Sequence, residues 1–154
     1  MKLKLLVKMN ETEFEEYIGD KEKRYAETLA SHTYEITESA DIRAKKSIQQ
    51  YLPNGFYTKQ HEFYKIVYNS EDCGYVWIKI DEEKKSAFLY EIFIFDQFRS
   101  NGIGTMVMNE IQEYLSCKEI QYFKLHVFGT NVKAIKLYET LGFEVAGINM
   151  YKKI

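Results

Sequence analysis

Two hydrophobic periods follow one another along this chain. Over residues 11–52, Phe14, Tyr17, Ile18, Tyr25 and Leu29 recur at helical spacing among charged neighbours. Thr37 or Ser39 is placed to cap a second helix carrying Ile42, Ile48 and Leu52. Pro53-Asn54-Gly55, around the sole proline, is the clearest turn signal. Beyond it, strands are expected at Phe63 to Tyr68 and Tyr75 to Ile80, joined through Asn69–Gly74 as a hairpin. Asp81–Lys85 reads as a polar turn into Ala87–Phe95, a run apolar at nearly every position, as in a strand covered on both faces.

The period then changes again. Ile103, Val107, Ile111, Tyr114 and Leu115 fall on one face of a helix. Phe123, Leu125 and Val127 alternate with Tyr122, Lys124 and His126, the mark of a strand over 122–128. A last helix is expected from Asn131 to Leu141, closed by Gly142, with one or two final strands in Phe143 to Lys153. The first eight residues, basic and briefly apolar, read as a first strand. The order β-α-α-β-β-β-α-β-α-β implies one α/β (α+β) domain over 1–154. Its expected form is a mixed, mostly antiparallel sheet of six to seven strands flanked by about four helices.

Composition adds exclusions. A net charge of −2 gives no basic footprint for nucleic acid. No run approaches the roughly 20 apolar residues of a membrane span, and the N-terminus has no long apolar stretch or cleavage site of a signal peptide. Neither nucleic acid nor a membrane is therefore an expected partner. Cys73 and Cys117 match no metal or disulfide spacing, which points to a reducing, cytoplasmic setting. No metal site is expected, because His, Cys and carboxylates nowhere show ligand spacing.

Candidate chemistry centres on residues 88–115: strand, glycine-containing turn, helix. Glycines at a helix start let an anion approach unpaired N–H groups without a Cβ in the way. Arg99-Ser100-Asn101-Gly102-Ile103-Gly104 is such a cradle, with Arg99 available for charge. Turn chemistry alone explains two glycines equally well. No lysine follows Gly104, so it is not a P-loop, and Val107 stands where a dinucleotide fingerprint needs its third glycine.

Arg99-Ser100-Asn101-Gly102-Ile103-Gly104 resembles the coenzyme A pyrophosphate motif of the GCN5-related N-acetyltransferases. Asn131-Val132-Lys133-Ala134-Ile135-Lys136-Leu137-Tyr138 and Leu141-Gly142-Phe143 are similar to that family's second signature. The likeness covers roughly residues 56–154. It implies acetyl-CoA as co-substrate, with the acyl-CoA site in 56–154. The strand and helices of 1–55 would then lie on the acceptor side.

It further implies that backbone groups of Ile92 and Ile94 pair with the pantetheine arm. N–H groups across Arg99, Ser100, Asn101, Gly102, Ile103, Gly104 and Thr105 would hold the pyrophosphate. Asn131 would bond the arm or the adjoining backbone, and Ala134 would let the arm pass. Tyr138 matches the tyrosine that protonates the departing thiolate. Ser100 stands where many relatives carry glycine, which on a backbone-binding reading matters little.

Glu91 is a carboxylate on an apolar strand, either a general base or a residue facing a solvated groove. Tyr138 lies on a helical stripe and could equally be core. His126, His61 and His32 read as structural. The acidic residues Glu11, Glu13, Glu15, Glu16 and Glu22 suit a solvated face, or a cationic acceptor. Tyr17, Tyr25, Tyr34, Tyr51, Tyr57 and Tyr64 could line a pocket.

The reaction implied is acetyl transfer to a primary amine of a small molecule or peptide, by direct attack in a ternary complex. Two alternatives are a non-catalytic acyl-CoA-binding module and a transferase for another acyl group. The sequence leaves the oligomeric state open, a homodimer included.

Overall fold

In the computed structural model, residues 1–32, 34 and 38–154 are described. They form β1 (Leu6–Lys8), α1 (Glu11–Ser31), α2 (Ala40–Tyr51), β2 (His61–Tyr68), β3 (Glu71–Asp81), β4 (Ser86–Ile94), α3 (Ile103–Cys117), β5 (Tyr122–Leu125) and α4 (Val132–Thr140). The chain divides into two compact units: Met1–Lys8 with Gln60–Asn149, and Met9–Lys59 with Met150–Ile154.

The first unit holds one open sheet in the order β1-β2-β3-β4-β5. Its first four strands are antiparallel, and β5 joins β4 in parallel. The β2–β3 hairpin turns on Asn69 and Ser70 alone, both at positive φ (51° and 63°), rather than over the six residues expected. Two consecutive left-handed residues give the turn whose twist matches paired strands, and a register shift at Cys73 absorbs the extra residue. Gly74 is obligatory here: a Cβ would lie 1.9 Å from the Phe93 carbonyl oxygen.

One sheet face carries Tyr64, Ile66, Val76, Ile78, Ala87 and Leu89, packed with Ile103, Val107, Met108, Ile111 and Leu115 of α3. The expected α3 stripe is therefore its buried stripe, because the 3.6-residue period and the sheet's two-residue period each put these side chains on facing surfaces. Val107 and Ile111 are wholly inaccessible. Glu110, unremarked in the sequence, is also buried. Its carboxylate accepts from the N–H groups of Lys4 (2.7 Å), Leu5 (2.9 Å) and Leu6 (3.2 Å).

In the second unit, α1 opens with a capping box: Asn10 Oδ1 accepts from Glu13 N at 2.8 Å and Glu13 Oε1 from Asn10 N at 3.0 Å. Ala26 and Leu29 of α1 cluster with Ala44 of α2. Ser39 caps α2, accepting from Ile42 N at 3.4 Å; Thr37, the other candidate, lies outside the described residues. Ile42 was expected on the buried stripe but is 48% exposed, and Ala44 takes its place.

Among the described residues five strands form, against the six to seven expected. The fifth ends at Leu125, short of Phe128, and residues 143–154 form no strand. Tyr64 is in the sheet core with its hydroxyl donating to Glu62, while Tyr57 and Tyr34 are 68% and 51% exposed.

Candidate active site

The site is built where β4 outruns β5. Strand β4 pairs with β3 along its length, yet β5 accompanies it only over Ser86–Leu89. A register shift makes Tyr90 an extra residue, with Trp77 opposite Glu91 and Ile78 opposite Leu89. Such a bulge re-aims the strand beyond it. Phe95 N donates to Cys73 O at 2.8 Å. Because ladder groups alternate sides in an antiparallel pair, Glu91, Phe93 and Phe95 address β3, and the backbone groups of Ile92 and Ile94 point away from it. They face the gap that β5 leaves.

At the end of β4 the chain passes a short 3₁₀ turn, Asp96–Phe98, and enters α3 through Arg99–Gly102. Gly102 is the N-cap of α3 at φ 75°, and no side chain caps this helix. Asn10, Ser39 and Asn131 cap the other three. Met106 N is the first to donate within the helix, to Gly102 O at 3.1 Å. The N–H groups of Ile103, Gly104 and Thr105 thus have no acceptor among the described residues. A Cβ on either Gly102 or Gly104 would meet nothing within 4 Å. The helix start is an open donor set at the positive end of a 15-residue helix dipole.

Arg99 is engaged differently from the sequence expectation of a free charge. Its Nε donates to Ile94 O at 2.8 Å, its Nη1 pairs with Asp96 at 2.9 Å, and its backbone N–H donates to Asp96 O at 3.2 Å. The guanidinium also lies 5.2 Å over the Phe93 ring. Arg99 therefore clips the loop to the end of β4, and the Ile94 carbonyl already has a partner. Ser100 sits at φ 64°, a left-handed conformation that a glycine would hold with less strain. The residue type at this position therefore bears on backbone strain. Asn101 Nδ2 reaches Phe98 O at 3.4 Å.

Asn131 caps the start of α4, its side-chain oxygen accepting from Ala134 N at 3.2 Å. Its oxygen serves the adjoining backbone, and Ala134 is half-buried one turn before Tyr138. The Tyr138 ring packs edge-on to Phe143 at 5.7 Å, against the α3-side core. Its hydroxyl has no partner among the described residues. Burial raises this phenol above the usual tyrosine range, which makes it a weaker acid than a free tyrosine, protonated throughout the neutral range.

Glu91 is half-buried and shares the Trp77 face of the sheet. Ile92, Ile94 and Tyr138 pack toward α3, on the other face. The two candidate catalytic side chains are thus not neighbours on one surface.

Around Glu91 the sequence left an aromatic group unnoticed. Tyr90 stacks on Trp77 at 4.5 Å, and Trp77 Nε1 donates to His61 Nδ1 at 2.9 Å. Indole N–H can only donate, so Nδ1 must accept and the ring proton sits on Nε2. Burial and nearby Lys79 lower His61 to about 4. It is neutral with no free lone pair, which excludes it as a base. Cys73 is buried, with its thiol pushed up by burial, and Cys117 is exposed. No His/Cys/carboxylate group fit for a metal occurs among the described residues. Nor is any helix there long and apolar enough to cross a membrane.

Comparison with known proteins shows the family. Residues 16–143 match the model of the acetyltransferase (GNAT) family. The uncharacterized N-acetyltransferase YycN of Bacillus subtilis is 29% identical over 97% of this chain and 98% of its own. A crystal structure of YycN superposes with a TM-score of 0.91. The uncharacterized N-acetyltransferase YdgE of the same organism is 27% identical over 95% of both chains. An acetyl transferase structure from Pyrococcus furiosus, 26% identical and covering 97% of this chain and 98% of its own, gives a TM-score of 0.69.

Proposed function

Because the chain belongs to the acetyltransferase (GNAT) family, we propose that it moves an acetyl group from acetyl-CoA to a primary amine of a small molecule or peptide. The observation that carries this reading is the continuity of three features. They are the strand edge at Ile92–Ile94, the gap beside it, and the uncapped, glycine-lined start of α3. Acetyl-CoA supplies an activated acyl thioester and a thiolate leaving group.

The N–H groups of Ile103, Gly104 and Thr105 hold the pyrophosphate at the helix dipole's positive end. Ile92 offers its N–H and C=O to the pantetheine amides, and Ile94 its N–H, in the manner of an added strand. Ala134 leaves room for the arm, while Asn131 fixes the first turn of α4 beside it. Ser100 and Asn101 shape the loop that delivers these donors, and Arg99 anchors it.

An alkyl amine with a pKa of roughly 10.4 pays about 4.6 kcal/mol to be neutral at pH 7, so the acceptor must lose a proton on the way. Glu91, directly or through water, takes it from the Trp77 face. The neutral amine attacks the thioester carbonyl and the C–S bond breaks; Tyr138, a phenol protonated at neutral pH, donates to the leaving thiolate, and the proton the new amide nitrogen sheds restores the phenol. Holding both substrates in one gap makes the attack effectively intramolecular. Neither cysteine is needed as a nucleophile.

A panel of amines with acetyl-CoA, read by thiol release, tests the activity. Saturable coenzyme A binding with no turnover across the panel would identify a binding module instead. Competition among acyl-CoAs in a thermal-shift assay decides the acyl group. Tyr138→Phe is expected to lower kcat by about 10²- to 10⁴-fold with KM for acetyl-CoA and the melting temperature nearly unchanged. Full turnover in that variant would remove Tyr138 from the mechanism.

A further inference from the structure

The sheet face opposite α3 sets aromatic rings around one carboxylate. The extra residue at the β4 bulge puts two consecutive side chains on this face: Tyr90 stacks on Trp77 at 4.5 Å, and Trp77 stands opposite Glu91. Phe88 adds a ring 4.8 Å from Tyr90. Along β4 in the other direction, Phe93 lies 6.4 Å from Tyr75 with the rings nearly parallel, and Phe95 meets Tyr75 edge-on at 5.1 Å. Glu91 thus stands between two groups of rings. It is the only acidic residue in 74–80 and 88–95, the lengths of β3 and β4 that carry them.

The two ring groups differ in what they leave open. Trp77 is 1% exposed and its indole N–H is committed to His61, so the first group is a fixed floor. Tyr75, Tyr90, Glu91, Phe93 and Phe95 are each half-buried, with part of their surface still accessible. The charged residues set beside these rings are cations. Lys65 pairs with Tyr75 across the β2–β3 ladder, Lys79 pairs with Phe88 across the β3–β4 ladder, and the Arg99 guanidinium lies 5.2 Å over Phe93. A ring face attracts a cation through its quadrupole, and a carboxylate among rings, with little water to screen it, attracts one strongly. A molecule with a second ammonium would bring that charge toward lysine or arginine.

We infer, resting on the acetyl-transfer reading above, that this face takes the acceptor and that the acceptor is a monoamine on a flat apolar body. Its chemical class is an arylalkylamine, not a polyamine or an aminoglycoside. The single ammonium pairs with Glu91, the residue before Ile92 on β4. The body lies against Tyr75, face to ring or edge to ring, the two arrangements aromatic rings favour. One carboxylate selects one charge, the rings select the body, and the flanking cations turn away a second charge.

Trp77 is the sole tryptophan, so its emission reports occupancy of this face without any turnover. In the full chain saturated with coenzyme A, phenethylamine is expected to change that emission saturably. It should bind about tenfold tighter than spermidine, and by a similar margin than the uncharged 2-phenylethanol. Tyr75→Leu keeps apolar area but removes a ring, and is expected to weaken phenethylamine about tenfold with coenzyme A affinity, read by calorimetry, unchanged. Glu91→Gln should erase the preference for phenethylamine over 2-phenylethanol. Tighter binding of spermidine, an emission that no amine changes, or variants that both leave phenethylamine affinity as it was would each overturn the proposal. Thiol release, run beside the titration, keeps the two readings apart. Turnover with spermidine but not with phenethylamine would sink this acceptor class and leave acetyl transfer standing. Phenethylamine binding as expected, with no amine acetylated, would sink the transfer reading and leave the binding face.

Discussion

Two sets of three backbone N–H groups in this protein face the same physical demand and meet it differently. Those of Lys4, Leu5 and Leu6 converge on Glu110, whose buried carboxylate accepts from all three. Those of Ile103, Gly104 and Thr105, on the same helix as Glu110, converge on nothing the described residues provide. Where the chain supplies its own anion, the outcome is structural: the amino-terminal segment is tied to α3. Where it leaves the donors open and clears the space with Gly102 and Gly104, an anion from outside fits. Buried N–H groups nearly always find partners, so an open set at a helix start is a reason to look for a ligand.

The comparison breaks most visibly at Gly104. A Cβ there meets nothing within 4 Å beyond its own helix turn, yet a valine side chain would fill the space an anion would take. Coenzyme A affinity, measured by calorimetry, is expected to fall by on the order of 10²-fold, about 2.7 kcal/mol, with the fold unchanged. Near-normal affinity would show that the pyrophosphate binds elsewhere.

The complementary change is Glu110→Ala, which leaves three N–H groups without their acceptor. A loss of about 3 kcal/mol in urea unfolding is expected, with Glu110→Gln milder because one acceptor oxygen survives. A loss below about 1 kcal/mol would mean water replaces the carboxylate at little cost.

Asn10→Ala removes an ordinary cap from α1 and should cost about 1 kcal/mol without touching coenzyme A affinity. A comparable loss of binding in that variant would erase the distinction between structural and functional helix starts.

The smallest effect sharpens the loop itself. Ser100→Gly relieves a side chain held at φ 64° and should stabilise the protein by about 0.5–1 kcal/mol, with coenzyme A affinity intact. Destabilisation would mean that the flexibility glycine adds to the unfolded chain outweighs the relief.

Much of the fold could be read directly, for reasons visible in particular residues. Ile103, Val107, Ile111 and Leu115 share a face by helical period, and that face is buried. Pro53-Asn54-Gly55 does part the helices from the sheet, and the glycine turn does open α3. Other readings failed where a local pattern was satisfied by something distant. Ile42 had the right period but Ala44 faces α1, since periodicity groups residues on a face without saying which face packs. Residues 143–154 carry strand-forming side chains, but strand propensity becomes a strand only where an edge accepts it.

By itself the sequence determined the periods, the turns, the glycines at the head of α3 and the two signatures that mark the family. These depend on residues within a few positions of each other, where spacing fixes geometry. The tertiary structure alone decided that Glu110 serves N–H groups more than 100 residues away. It alone decided that Arg99 folds onto Ile94, that His61 gives its lone pair to Trp77, and that Glu91 and Tyr138 lie on opposite faces of β4. Each of these depends on which surfaces the chain brings together, and pairing across a sheet or between a helix and a strand follows from packing of the whole core rather than from any local run of residues.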